Sequence, residues 1–157
     1  MKLLALALTL LCVPTITVLA RLGETAEQIH QRYGKPVEAG KMPNEKDEAY
    51  ERYEKDEFVV EVTLWKGISV TESYTKKDKS DVTESEAEHL LSLNAGGAKW
   101  TKPSVQGMPN TVFLMRDDNF AVATYGRITS GSPVKLHLQI TEDAKKTLVT
   151  QEKLKSF

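Results

Sequence analysis

Apolar residues recur along this chain with two periods, near 3.6 in some stretches and 2 in others, and the changes of period mark its elements. From Thr25 the segment TAEQIHQRYG places Ala26, Ile29 and Tyr33 at helical spacing, with Thr25 as N-cap and Gly34, ahead of Lys35-Pro36, as the stop. A polar stretch, VEAGKMPNEKDE, reads as a surface loop. Alternation then takes over, and AYERYEKD, EFVVEVTLW and ISVTESYT read as three strands. In the second, Phe58, Val60, Val62 and Leu64 share one face while Glu61 and Thr63 share the other; in the third, Ile68, Val70 and Tyr74 alternate with Ser and Thr. Asp56-Glu57 and Lys66-Gly67 are short enough to be hairpin turns, which predicts an antiparallel meander.

The same order of elements then recurs. VTESEAEHLLSLNAGG offers Thr83 and Glu86 as a capping box, Ala87, Leu90 and Leu91 as an apolar stripe and Gly96-Gly97 as a stop. TVFLMRD, NFAVATYGR and PVKLHLQI follow as three more strands, with Val134, Leu136, Leu138 and Ile140 on one face of the last. At a constant offset Glu24, Gly34, Asp56, Phe58 and Val60 coincide with Glu86, Gly96, Asp118, Phe120 and Val122. The expected fold is therefore α+β: two tandem α-β-β-β units, each a helix packed on an antiparallel meander, over 22–76 and 83–140 of one domain spanning 21–140. The halves would join strands or pack faces into a larger sheet. The tail, 141–157, carries acids early (Glu142, Asp143) and lysines late (Lys153, Lys155), a charge order that suits a C-terminal helix.

Residues 1–20, MKLLALALTLLCVPTITVLA, have a basic start, an apolar middle broken by Pro14 and a small residue at Ala20, the pattern of a cleaved signal peptide. Cys12 follows Leu11, where lipid attachment wants a smaller residue, so it reads as an apolar member of the leader. The expected location is periplasmic or secreted, with membrane contact only through the leader before cleavage. The single Cys lies in that leader, so the mature domain holds no disulfide and depends on its core. Across 157 residues, 40% apolar and 27% charged composition excludes collagen-like, disordered and disulfide-stapled classes, and a net charge of −1 argues against a nucleic-acid binder.

Chemistry-bearing patterns are few. Glu27/His30 and Glu86/His89 form two E-x-x-H pairs at i,i+3, the spacing used in carboxylate-bridged metal sites, although solvent-facing polar residues on two helices account for them as well. His137, between Leu136 and Leu138, lies opposite the apolar stripe of its strand and has no local Ser or Asp context. G-x-S-x-G and phosphate-loop patterns do not occur, and no mature thiol exists to act as nucleophile. The expectation is a non-enzyme without cofactor or metal. The mixed-charge run from Glu45 to Glu57, interleaved with Tyr50 and Tyr53, reads either as a solvated edge or as a polar contact surface. Trp65 and Trp100 either pack under a helix or decorate a binding face. Tyr50, Tyr53, Trp65 and Trp100 are the candidate binding residues.

The start LGETAEQIHQRYGKP, the aromatic strand around Tyr50 and Tyr53 and the segment VEVTLWKGISV resemble the pattern of the SmpA/OmlA (BamE) lipoproteins and of the tandem repeats of beta-lactamase inhibitor proteins. The likeness covers residues 22–74 and is echoed over 83–140. The chain also looks like small exported proteins of environmental bacteria with an LGET…RYGKP start and an NAGG-x-KW segment, here Asn94 to Trp100. The resemblance implies a helix-on-sheet module that presents its sheet or loops to another protein or to an envelope component. A non-catalytic, exported binding module of the bacterial envelope is the expected function; a small metal-dependent hydrolase using Glu27/His30 and Glu86/His89 is the alternative.

Overall fold

The computed structural model of the protein describes residues 22–43, 45, 47–103, 110–127 and 129–155. The leader expected over 1–20 lies outside the described residues. The elements run α1 (Ala26–Tyr33), β1 (Glu38–Lys41), β2 (Glu48–Lys55), β3 (Phe58–Trp65), β4 (Ile68–Lys76), α2 (Glu84–Leu93), β5 (Trp100–Thr101), β6 (Thr111–Arg116), β7 (Ala121–Gly126), β8 (Lys135–Ile140) and α3 (Glu142–Lys155). All strands belong to one antiparallel eight-stranded sheet of order β1-β2-β3-β4-β8-β7-β6-β5.

That single sheet overturns the expected pair of tandem helix-and-three-strand units. Four strands precede α2 and four follow it, and the last strand of each group pairs with the other, Thr71 to Tyr74 of β4 against Gln139 to Leu136 of β8. The physical reason is edge exposure: separate three-stranded meanders would each leave open edges and a thin core, whereas pairing β4 with β8 removes two edges and lets both helices share one apolar interior. The two unexpected strands gave little signal. β1 sits in the stretch read as a polar loop and is almost wholly exposed, so it shows no apolar alternation, and β5 has only two residues.

Local chemistry at the helix starts follows expectation. Thr25 with Gln28, and Thr83 with Glu86, each form a complete capping box. α2 ends at Asn94, before the glycine pair, because the Asn94 amide donates back to Leu90 and Leu91 carbonyls. The β3–β4 hairpin turns on Lys66 and Gly67, both at positive φ (50° and 79°), the conformation a two-residue turn requires. In β4 the register shifts between Thr63 and Leu64, where Val70 is the extra residue, so a bulge sits next to the segment that leads into α1. That segment is laced to β4: the Gly23 amide donates to the Ser69 carbonyl at 2.9 Å, Ser69 N to Glu24 O at 2.8 Å and Ala26 N to Gly67 O at 3.0 Å.

The sheet has two unlike faces. Ile29 of α1 and Ala87, Leu90 and Leu91 of α2 share one core cluster with Val60, Val62, Tyr74, Leu136, Leu138, Ala121 and Ala123. The alternate residues, among them Glu61, Thr63, Thr71, Ser73, His137, Gln139, Val122 and Thr124, point to the opposite face and are half-buried or exposed. α3 leaves the end of β8 and buries Ala144, while Lys145 reaches Glu48 at 3.0 Å beside the β3–β4 hairpin. Among the described residues no helix is long and apolar enough to cross a membrane.

Candidate functional site

Period-2 alternation through β4 places Glu72 on the core face with Tyr74, and the structure buries that carboxylate completely, at 0% exposure. Its cross-strand neighbours are Val62 of β3 and Leu138 of β8, so the sheet itself supplies no charge to meet it. α1 does. Arg32 Nη1 lies 3.4 and 3.5 Å from the two Glu72 oxygens, Tyr33 donates its hydroxyl to Oε2 at 3.1 Å, and Tyr74 donates to the same oxygen. The two phenol oxygens are 2.9 Å apart, and Arg32 also forms an ion pair with Glu24. From α2, the cap residue Asn94 donates its side chain to Tyr74 at 3.3 Å and to the Leu90 carbonyl at 3.0 Å, while Arg116 of β6 reaches the Asn94 carbonyl at 3.5 Å.

A polar thread therefore crosses the core from Glu24 to Arg116. Burial works against the Arg32 charge, and Glu72 beside it more than restores that charge, holding the guanidinium pKa above its usual value. Burial, reinforced by Glu72, pushes both Tyr33 and Tyr74 phenols well up, so they stay protonated and act as donors. A carboxylate met by one guanidinium and two phenols is well enough satisfied to be kept out of water, whereas any one partner lost leaves a charge stranded.

The opposite face carries a row of paired residues in which Glu38, Arg52, Glu61, Ser73, His137 and Thr124 stand side by side across β1, β2, β3, β4, β8 and β7. Ser73 Oγ and His137 Nδ1 are 2.6 Å apart. Burial, helped by Lys135, lowers the His137 pKa, and a hydrogen bond with Gln139 works the other way. This contact ties β4 to β8 on the open face, with Gln139 rather than a carboxylate bonded to the ring. A shallow depression of about 320 Å³ lies over this row, with Tyr50, Arg52 and Glu61 on its sides.

The sequence-predicted site residues fall in three places. Tyr50 lies on this open face, donating its hydroxyl to Glu38 at 2.9 Å with its ring over Gly40, where a Cβ would come within 2.6 Å of it. Trp65 stands half-buried on the same face, with the ammonium groups of Lys66 and Lys145 at 4.8 and 5.4 Å from its ring. Tyr53 is a correction: it is 0% exposed, its ring packs at 5.4 Å from Tyr33, and it offers no contact area. Trp100 lies on the helix side, its indole N–H donating to the Leu91 carbonyl at 2.8 Å.

The two E-x-x-H pairs do not converge. His30 Nε2 lies 3.2 Å from both Glu51 oxygens, while Glu86 is held by Lys76 at 2.6 Å and by the Thr83 cap. Those bonds, the one from Lys76 foremost, depress the Glu86 pKa to about 2. Among the described residues, no three His, Cys, Asp or Glu side chains are grouped so as to hold a metal ion. His137, read from sequence as lacking a Ser neighbour, has one across the β4–β8 pair. Glu72 was missed as well, although counting by twos from Val70 to Tyr74 puts it inward.

No protein-family model matches the sequence, and no curated protein matches it. Among solved structures, a cysteine-rich secretory protein from Staphylococcus aureus subsp. aureus Mu50 is similar at 10% identity with a TM-score of 0.42, over 78% of this chain and 44% of that one. The chain spans less than half the length of that protein.

Replacing Glu72 by Gln removes the fully buried of Arg32's two countercharges, leaving only Glu24, and should cost about 3 kcal/mol in urea unfolding. His137 resists protonation when folded, so its contribution to stability is complete above the unfolded value of 6.5 and fades as pH falls through it. Unfolding midpoints measured down to acid pH should flatten over that window in His137→Gln.

Proposed function

We propose that this protein is an exported, non-catalytic module of the bacterial cell envelope that binds a protein partner through the face of its sheet turned away from α1 and α2. The observation that carries the reading is the asymmetry of the two faces. One is filled by α1 and α2; the other presents Tyr50, Trp65, Phe113, Met115 and Val122 around a stripe of Thr, Ser, Gln and His, all of them at least partly accessible. Rigid aromatic and methionine area is what protein interfaces favour. On the β1–β3 side Arg52 stands between Glu38 and Glu61, Glu48 is paired with Lys145 and Glu54 with Lys77, so charges of both signs would orient a partner of complementary pattern. Support for export comes from the leader pattern of residues 1–20.

The test is affinity capture from the organism's own envelope fraction with the mature chain and three variants. Trp65→Ala combined with Tyr50→Ala, and separately Thr124→Arg, should each reduce recovery of the captured partner at least about tenfold, while Glu88→Arg on the α2 side leaves it unchanged. Melting temperatures close to that of the parent chain keep the comparison free of unfolding. Capture that is indifferent to both open-face variants, or that is lost equally in Glu88→Arg, contradicts the proposal.

A further inference from the structure

A second concavity lies on the other side of the molecule, between α2 and the β5–β6 edge, and encloses about 540 Å³. That is within the span of small-ligand pockets, about 300–1,000 Å³. Leu91, Trp100, Val112 and Leu114 form its walls, and Ala87, Ala95 and Ala98 stand where larger side chains would close it. Val112 is 37% exposed, and Trp100 and Leu114 are only partly buried, so water now meets apolar surface that a ligand would cover.

The polar groups of this wall are already used. Trp100 Nε1 donates to the Leu91 carbonyl at 2.8 Å, Tyr125 OH to the Val82 carbonyl at 2.9 Å, and Ser92 Oγ to the His89 carbonyl at 2.7 Å. Each of these bonds turns a side chain's polar end toward backbone and leaves hydrocarbon or ring surface facing the space. A ligand seated there finds no deep hydrogen-bond partner, which selects an alkyl chain rather than a sugar, nucleotide or peptide backbone.

The rim supplies the charge. Lys99 and Lys102 flank Trp100, and among the described residues neither has an ion-pair partner. Glu84 on the helix side lies in the first turn of α2, where the helix N-terminus offsets its charge, and Glu88 lies one turn further along. Glu88, beyond that first turn, leaves one acid on the helix side against two lysines opposite, so the lysine side carries the larger unmet charge, and lysine stems long enough to cover an alkyl chain bring their ammonium groups to a head at the mouth. We infer that this hollow is a binding site for a single-chain anionic amphiphile, a long-chain carboxylate, with its tail against Trp100 and Leu114 and its head at Lys99 and Lys102.

Trp65 and Trp100 are the protein's two tryptophans and lie on opposite faces of the sheet, which makes the site directly readable. Dibrominated stearate quenches an indole it touches. Added to Trp65→Phe protein, it should quench the remaining Trp100 in a saturable manner that unbrominated stearate competes away; added to Trp100→Phe, it should leave Trp65 emission unchanged. Should Trp65→Phe fail to fold, the parent chain against Trp100→Phe gives the same comparison. Lys99→Glu with Lys102→Glu should raise the half-saturating concentration about tenfold, and a brominated alkylamine of equal length should bind weakly. Absence of quenching, equal binding of the amine, or sedimentation as a dimer that shields Trp100 from both probes, which would put a second copy in the hollow, overturns the inference.

Discussion

One buried carboxylate governs how this molecule is put together. Glu72 sits on the central strand pair of the sheet, flanked by Val62 and Leu138, in a place where an uncompensated charge would cost several kcal/mol. Its compensation comes from sequence-distant elements: Arg32 and Tyr33 from α1 and Tyr74 from its own strand, with Asn94 of α2 bonded in turn to Tyr74. A helix that slid or rotated by one residue would withdraw its donors while leaving the carboxylate inside. Apolar packing alone tolerates such shifts at small cost, since one aliphatic side chain replaces another with little loss. The ionic contact does not, and it thereby fixes where both helices lie on the sheet.

With both helices committed to one face, the other is left to side chains of mixed character. The alternation that buries Val60, Val62, Leu136 and Leu138 also presents Glu61, Thr63, His137 and Gln139 outward. Ser73 and His137 tie β4 to β8 on that side while the Glu72 network ties α1 and α2 to β4 on the other, so the junction between the two groups of strands is held from both faces. A stiff central junction suits a protein whose contact surface spans several strands, because a partner then meets a surface already in place and loses less entropy on binding.

Much of the secondary structure was legible in the sequence, and its reasons are local. Thr25 as an N-cap and Thr83 with Glu86 as a capping box announce the two helices, and the alternation of Phe58 to Leu64 and of Val134 to Ile140 announces two strands. What escaped was non-local. Nothing in either strand says that Thr71 to Tyr74 pairs with Leu136 to Gln139, so the continuous sheet and the Ser73–His137 contact both depended on a pairing between distant segments. Tyr53 was read as a surface residue because charged neighbours surround it in sequence, but every second residue of β2 points to the core and Tyr53 is one of them. Glu72 escaped for the opposite reason, as its charge suggested solvent where its parity required burial. For Trp100 the sequence left open a place under a helix or on a binding face, and the hollow beside it exists only because α2 passes over β6.

The coupling between residues 32 and 72 measures this account most directly. Urea unfolding of the parent chain, Arg32→Met, Glu72→Leu and the double variant closes a thermodynamic cycle on the pair. The account predicts two strongly destabilised single variants, a double variant restored well above the sum of their losses, and a coupling energy of about 2 kcal/mol or more. Losses that simply add, to within about 0.5 kcal/mol, would mean that Glu72 and Arg32 do not hold each other and that something else sets the helices on the sheet.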